Sequence, residues 1–429
     1  MLISVDTLTA GHMSAYGYER PTSPRLDAFA AGASLYLRAY ATSPWTLPTH
    51  ASLFTGKYPF EHGARTFRWP KWARSPLAES HFTLAEALQA LGFRTAAFVA
   101  NNAFLTEEYQ LNQGFETYVV DRSPGAALNE RVFDWLEKNA GAPFFLFLNY
   151  MDTHAPYNTR KPKNRPGFLE HAIDGTSTEL LKDLEQKILD RDPSYSRADV
   201  ERAIDLYDLS IANLDEAVGA LFDELTARGH FDDTLILVTA DHGEIFDEHD
   251  LIQHGRELYE PLIWVPLIVK RARQHAGEVV DAVVSSADIP RMILAQLPQE
   301  AAAPYLSKFP FAPGNHPVIS ENYYDHPVVF LNRKSWAHRF DRERFALLEW
   351  PYKYIHSSDG DHELYDVERD SRELHNLLDE QPETAARLAA TLARFRAERP
   401  RIDRALGETQ LPTPEQIENL KELGYISDP

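Results

Sequence analysis

Short apolar runs alternate with amphipathic stretches along the first two thirds of the chain. Residues 2–5 (LISV) are apolar throughout, too few for a helix, and end at Asp6. Residues 34–41, 93–100, 143–150, 234–240 and 265–270 have the same character and predict buried strands. Between them fall predicted helices: one starting at Pro24 behind a Ser23 cap, then 84–91, 128–138, 202–228 and 286–297. This alternation predicts an α/β fold, a large parallel sheet with helices on both faces. From about Pro317 the texture becomes short aromatic-rich strands, VVFLNR, RFALLEW, YKYIHS and HELYDVE, followed by a helix over 383–398. That pattern predicts a smaller C-terminal α+β subdomain with an antiparallel sheet. The expected division is an α/β domain over 1–315 and a subdomain over 316–429, with the polar stretch 159–198 as an insertion or lid.

Chemistry concentrates where the predicted strands end. Residues 39–56, AYATSPWTLPTHASLFTG, pass from a strand into a helix, with Thr46 at or just before the helix N-terminus and Pro48 in its first turn. The helix dipole there favours a bound anion and the alkoxide form of a hydroxyl, although Ser and Thr are also ordinary caps. Asp6, Thr46, Asn101, His154, Asp241 and His242 all lie just beyond a predicted strand's C-terminal end. In an open parallel sheet those ends share one edge, the edge where ligands bind. Any one of these residues fits turn chemistry; six together predict a site. Asp6, Asp241 and His242 form a ligand set suited to Zn, Mn or Mg, less naturally Ca. The Thr46 oxygen can complete the shell, and coordination would lower its pKa. His154 is a candidate general acid, since imidazole titrates near neutrality.

Composition narrows the chemistry. The 429 residues contain no Cys, which excludes disulfides, thiolate metal sites and a cysteine nucleophile. A formal charge of -21 argues against nucleic acid and anionic membranes as partners. An anionic substrate would need a local positive field, most simply a bound cation. No apolar run approaches the roughly 18 residues of a membrane span, and no signal-peptide pattern follows Met1. The expected location is the cytoplasm, or outside it if a leader has been trimmed. Lys57 follows Thr55-Gly56 without a phosphate-loop pattern, so a helix C-terminal glycine is the better account.

SVDTL, YGYERPTSPRLD, SPWTLPTHASLFTG, DTHAPY, TADHGEIFDEH with HGRELYEPLIWVPLIV after it, HELYDVERDSRELHNL and LKELGYI together resemble the sulfatase branch of the alkaline phosphatase superfamily. The resemblance runs from the first strand to the last helix. It implies a sulfatase-like α/β fold with a smaller C-terminal subdomain, and a divalent metal beside a covalent nucleophile. Asp6, Asp241 and His242 match the metal ligands, Thr46 the nucleophile and His154 the acid at the leaving group.

The departures are chemical. Where sulfatases carry C/S-x-P-x-R, the source of formylglycine, this chain reads Thr46-Leu47-Pro48-Thr49-His50. Threonine's β-methyl prevents oxidation to an aldehyde, so no formylglycine is expected. The motif's Arg is His50, the pocket's first Lys aligns with Asn101, and the second falls near His254, with Arg256 two residues on. Thr7 replaces the second Asp of the leading pair. A threonine ester of sulfate lacks the geminal-diol exit, whereas water or an alcohol can attack a phospho-threonine in line. Threonine in this role resembles the nucleotide pyrophosphatase/phosphodiesterase and lipoteichoic acid synthase relatives. The expectation is a metal-dependent hydrolase of phosphate mono- or diesters or phosphonate esters, acting through Thr46 on a small anionic substrate. His50, Asn101, His254 and Arg256 would contact that substrate. One divalent ion is expected, with a second open at Asp152, His154 and His254. A sulfatase without formylglycine, a phospho-head-group transferase and a binding protein without turnover are the alternatives. The sequence says nothing of oligomeric state.

Overall fold

The computed structural model describes residues 1–67, 73–139, 141–157, 177–323, 337–402, 418–419 and 421. Its strands are β1 (Leu2–Val5), β2 (Ser34–Tyr40), β3 (Thr66–Phe67), β4 (Ala73–Arg74), β5 (Arg94–Val99), β6 (Thr117–Val120) and β7 (Phe144–Tyr150). They continue with β8 (Ile236–Ala240), β9 (Trp264–Lys270), β10 (Glu278–Ser285), β11 (Val318–Tyr323), β12 (Glu343–Glu349), β13 (Tyr352–Ser357) and β14 (Glu363–Asp366). Eight of them form one sheet in the order β10-β2-β9-β8-β1-β7-β5-β6. β1 lies at its centre, parallel to β7 on one side and β8 on the other, with Leu2 opposite both Phe147 and Leu237. Central strands with two covered faces are mostly apolar, and LISV and FFLFLNY are so apart from Ser4 and Asn149, both buried and hydrogen-bonded.

The sheet is mixed rather than wholly parallel. β9 runs antiparallel to both β2 and β8, while the other seven strands share one direction. A parallel neighbour needs a crossover back to the starting edge, usually a long helix. Between β8 and β9 the chain has only a 3-10 turn (Glu248–Asp250) and a one-turn helix (Glu260–Ile263), so it re-enters from the edge at which it left.

Helices cover both faces. Pro24–Ala30 and Gly125–Lys138 pack on the long helix Arg197–Ala227, and Thr46–Thr55 packs with Leu84–Ala90 and Ile289–Leu294. β6, β10 and β11, and the helices Ser177–Leu189 and Gln299–Leu306, were not expected from the apolar pattern. The first part of the expected lid, 159–176, lies outside the described residues. In the rest, Leu181, Leu184 and Ile188 of the helix Ser177–Leu189 join the main core.

The second sheet has the antiparallel order β11-β12-β13-β14, with Phe345 opposite His356 and Tyr354 opposite Leu364. Leu388, Leu392 and Phe395 of the helix Pro382–Ala397 share a core with Phe345, Leu347 and Tyr354. The expected strand VVFLNR lies outside the described residues, as does LKELGYI apart from Lys421.

Candidate active site

Asp6 emerges from the C-terminal end of β1, fully buried, its N–H still donating to the Tyr150 carbonyl at 2.8 Å. The chain then turns sharply at Thr7, which has φ 60. A β-branched residue in that left-handed region is strained, and such strain persists only where neighbours hold it. Here they do: Thr7 Oγ1 donates to the Thr153 carbonyl at 2.8 Å, and Tyr207 Oη donates to the Thr7 carbonyl at 2.6 Å. Thr153 Oγ1 in turn donates to the Asp6 carbonyl at 2.5 Å. The ends of β1 and β7 are thereby locked together.

Asp241 and His242 follow β8, the neighbour of β1 on its other side. Asp241 Oδ1 accepts from the backbone N–H groups of His242 (2.9 Å) and Thr7 (3.3 Å). His242 Nδ1 lies 3.1 Å from the Gly243 carbonyl, which can only accept, so in the neutral ring Nδ1 carries the hydrogen. Nε2 therefore turns a lone pair toward Asp241 Oδ2 at 3.4 Å and Asp6 Oδ1 at 3.8 Å. Both oxygens are buried and accept no hydrogen bond of ordinary geometry. One ligand atom from each of the three residues lies within 4.8 Å of the others. Burial first, and the charge of Asp6 second, push the Asp241 carboxyl well above its ordinary range; burial pushes His242 well below its own. Three buried acceptor atoms facing one another, with the Thr46 hydroxyl beside them, fit a divalent cation, which replaces mutual repulsion by coordination.

Thr46 begins the helix Thr46–Thr55, fully buried, with Trp45 extended before it (φ -157, ψ 163). Its Oγ1 is 3.4 Å from His242 Nε2 and 3.5 Å from Asn101 Nδ2, and its hydroxyl moderates the rise of the Asp241 pKa. Pro48 is the third residue of the helix, where its missing N–H costs no internal bond. Asn101, just beyond β5, has one usable orientation. Its Oδ1 accepts from the N–H groups of Ala103 (3.0 Å) and Phe104 (2.9 Å), so Nδ2 faces Asp6 Oδ2 at 2.8 Å as well as Thr46.

His50 lies one turn beyond Thr46, fully buried against Phe54 and Phe147. Its Nδ1 donates to the Thr46 carbonyl at 2.9 Å and its Nε2 accepts from Ser4 Oγ at 3.0 Å. Burial pushes its pKa down to about 4, so the ring is neutral. Both nitrogens face protein atoms, and the ring braces the first turn of the helix.

On the other side of His242 stand two more imidazoles. The His254 ring is 4.5 Å from that of His242 and 5.1 Å from that of His154, centre to centre. His154 Nδ1 lies 2.5 Å from the Ala155 carbonyl. His254 Nδ1 lies 3.0 Å from Glu244 Oε1, and Tyr157 Oη donates to Glu244 Oε2 at 3.2 Å. Burial lifts Glu244 to about 8. A bridge between Ile245 and Gln253 sets Glu244 beside His254. Glu244 was not singled out from the sequence, although its place in DHGE beside two candidate ligands was the available signal. Arg256 is 7 % exposed, with Nη2 on Glu185 Oε1 at 2.7 Å and Nη1 on the Ile252 carbonyl at 3.1 Å. The Asp152 carboxylate accepts from the Gly125 N–H through both oxygens, at 3.0 and 3.2 Å. Among the described residues, Asp152 therefore does not join His154 and His254 in a metal-ligating cluster.

The sulfatase family profile matches residues 1–298. An uncharacterized sulfatase of Escherichia coli K12, YidJ, is 23% identical over 89% of this chain and 83% of its own length. The multifunctional alkaline phosphatase superfamily protein PehA of Trinickia caryophylli is 25% identical over 59% of this chain, which spans only 55% of that relative. The crystal structure of the phosphonate monoester hydrolase of Agrobacterium radiobacter shares the fold, with a TM-score of 0.67, 19% identity and coverage of 92% of this chain and 95% of that one. With more than half its residues inside the family match, the chain belongs to the sulfatase family of the alkaline phosphatase superfamily and is a hydrolase of sulfuric or phosphoric esters.

Proposed function

We propose that this hydrolase cleaves a phosphate or phosphonate ester through a covalent intermediate on Thr46. The observation that carries the reading is the position of a hydroxyl, not an aldehyde precursor, 3.4 Å from His242 Nε2 beside the two unpartnered carboxylate oxygens. A divalent cation held by Asp6, Asp241 and His242 would supply the positive charge that makes the Thr46 hydroxyl acidic and draws an anionic ester to a chain of charge -21. Thr46 gives up its hydroxyl proton to solvent, Oγ1 attacks phosphorus in line, the bond from phosphorus to the leaving oxygen breaks, and His154 delivers a proton to that oxygen. Asn101 Nδ2 and the N-terminal amides of the helix Thr46–Thr55 face the nonbridging oxygens. His50 holds the Thr46 backbone rather than the substrate, and Glu244 holds His254 beside His154. Water then attacks phosphorus, giving a proton back to His154, the P–Oγ1 bond breaks, Oγ1 takes a proton from solvent, and phosphate or phosphonate is released. The catalytic machinery belongs to residues 1–315, with 316–429 as a subdomain supporting it. Similarity to a phosphonate monoester hydrolase, and to a relative described as multifunctional, supports phosphorus as the reacting centre.

The test is turnover of aryl phosphates, phosphodiesters, phosphonates and sulfates by metal-loaded protein and by Thr46→Ala and Thr46→Ser. Thr46→Ala should lower kcat by at least about 10³-fold, while Ser keeps measurable activity. Quenched wild-type reactions should yield a phosphoryl adduct on the peptide containing Thr46. Unchanged turnover in Thr46→Ala would end the covalent mechanism. Release of sulfate alone would put the sulfatase reading first.

A further inference from the structure

Tyr207, on the long helix Arg197–Ala227, takes no part in the reaction proposed above, yet its hydroxyl closes the turn that follows the candidate ligand Asp6. Its Oη donates to the Thr7 carbonyl at 2.6 Å and accepts from the Thr9 N–H at 3.1 Å, so one oxygen bridges the two ends of that turn. The peptide between Asp6 and Thr7 is held at both ends as well. Its carbonyl accepts from Thr153 Oγ1 at 2.5 Å, and its N–H donates to Asp241 Oδ1 at 3.3 Å. All of these residues are buried, and Thr7 keeps φ 60, a conformation that a β-branched side chain adopts only under such restraint. The Tyr207 ring has its own packing, with the rings of His12, Tyr157 and Phe246 centred 5.2, 5.6 and 5.2 Å away. A phenylalanine there would keep those contacts and lose only the hydroxyl.

We propose that Tyr207 and Thr153 are positioning residues for the cation: their hydroxyls hold the backbone of Asp6 and Thr7 in the strained geometry that aims the Asp6 and Asp241 carboxylates at His242 Nε2. The inference rests on the assignment of the cation to Asp6, Asp241 and His242. Without Tyr207 Oη, the Thr7 carbonyl and the Thr9 N–H are left buried without that partner, and the left-handed turn loses the bond that offsets its cost. As Thr7 relaxes, the peptide behind it rotates, its N–H leaves Asp241, and Asp6 turns with it. Thr153 restrains the same peptide from the side of β7, through the Asp6 carbonyl.

The test is the affinity of the folded protein for Zn and Mn, measured by competition with a chromophoric chelator. Tyr207→Phe and Thr153→Val keep the shape of each side chain, and each should raise Kd by about ten-fold or more. Leu221→Ala removes a buried side chain about four turns further along the same helix; it should lower the unfolding midpoint and leave Kd within about two-fold of wild type. Asp241→Asn should bind neither ion. Wild-type affinity in Asp241→Asn would take the cation away from these residues and the proposal with it. With Asp241→Asn silent, wild-type affinity in Tyr207→Phe or in Thr153→Val, or an equal loss in Leu221→Ala, would overturn the proposal alone. No turnover enters these readings, so failure of the covalent Thr46 mechanism is read separately.

Discussion

Thr7 and Gly243 carry the tightest backbone constraints around the candidate metal ligands. A Cβ at Gly243 would stand 2.0 Å from the Pro261 carbonyl oxygen, and the Gly243 N–H already donates to Leu262 at 2.8 Å. Gly243→Ala must push the chain away from the residues just before β9, moving His242 with it. The expected cost is about 3 kcal/mol or more in denaturant unfolding, together with loss of metal binding. At this level the sequence was informative for a simple reason: a run of apolar residues marks where a buried strand stops, and Asp6, Asn101, Asp241 and His242 stand at such stops. It could not show that both nitrogens of His50 are engaged. One bond runs back along its own helix to Thr46, but the other comes from Ser4 on a strand 46 residues away.

The smaller sheet holds the segment that follows His254. Asn322 of β11 donates to the Gly255 carbonyl at 3.2 Å, Arg342 pairs with Glu257 at 2.6 Å, and Lys353 of β13 donates to the Leu258 carbonyl at 3.0 Å. Lys353 is fully buried between Glu260 (2.9 Å) and Glu373 (2.5 Å). Lys353→Met leaves two carboxylates buried without their cation, and equilibrium unfolding should register a loss of about 3 to 5 kcal/mol. Glu321 of β11 reports the same junction through pH. Its Oε2 accepts from the Phe60 N–H at 3.1 Å and from Tyr323 Oη at 2.6 Å, and burial raises its pKa from 4.5 to about 7. The native state therefore binds a proton more tightly than the unfolded chain. That contribution is complete below pH 4.5 and disappears as pH rises through 7. Relative to Glu321→Gln, wild type should lose about 3 kcal/mol across this window in paired unfolding titrations. Strand direction was the part of this organisation that the apolar pattern did not carry. VPLIVK reads the same in either direction, and the link before it decides. β10 was missed because it is an edge strand: Asp281 interrupts its apolar run and Val279 is 66 % exposed.

For the molecule as a whole, the clustered acceptors at Asp6, Asp241 and His242 link folding to metal. A cation that binds only the native state adds about 2.7 kcal/mol at a hundred times its Kd. Thermal unfolding of wild type should shift upward with added Zn or Mn and fall back with chelator. Asp241→Asn should abolish that response. In metal-free protein the same change should stabilise by about 1 to 3 kcal/mol, since an amide supplies a donor where two carboxylates met. A metal-free Asp241→Asn protein less stable than metal-free wild type would count against the site.

The reversed direction of β9 has a wider meaning. Because the polypeptide leaves β8 and enters β9 from one rim, residues 241 to 263 form an excursion that never crosses the layer of helices. Its far part, around residues 247 to 250, can gain or lose length without re-threading the sheet beneath it, while the buried Leu251 and Ile252 hold the return. Catalytic repertoire in this architecture can thus change by splicing one peripheral arc, while Asp241 and His242 stay anchored where the strand ends.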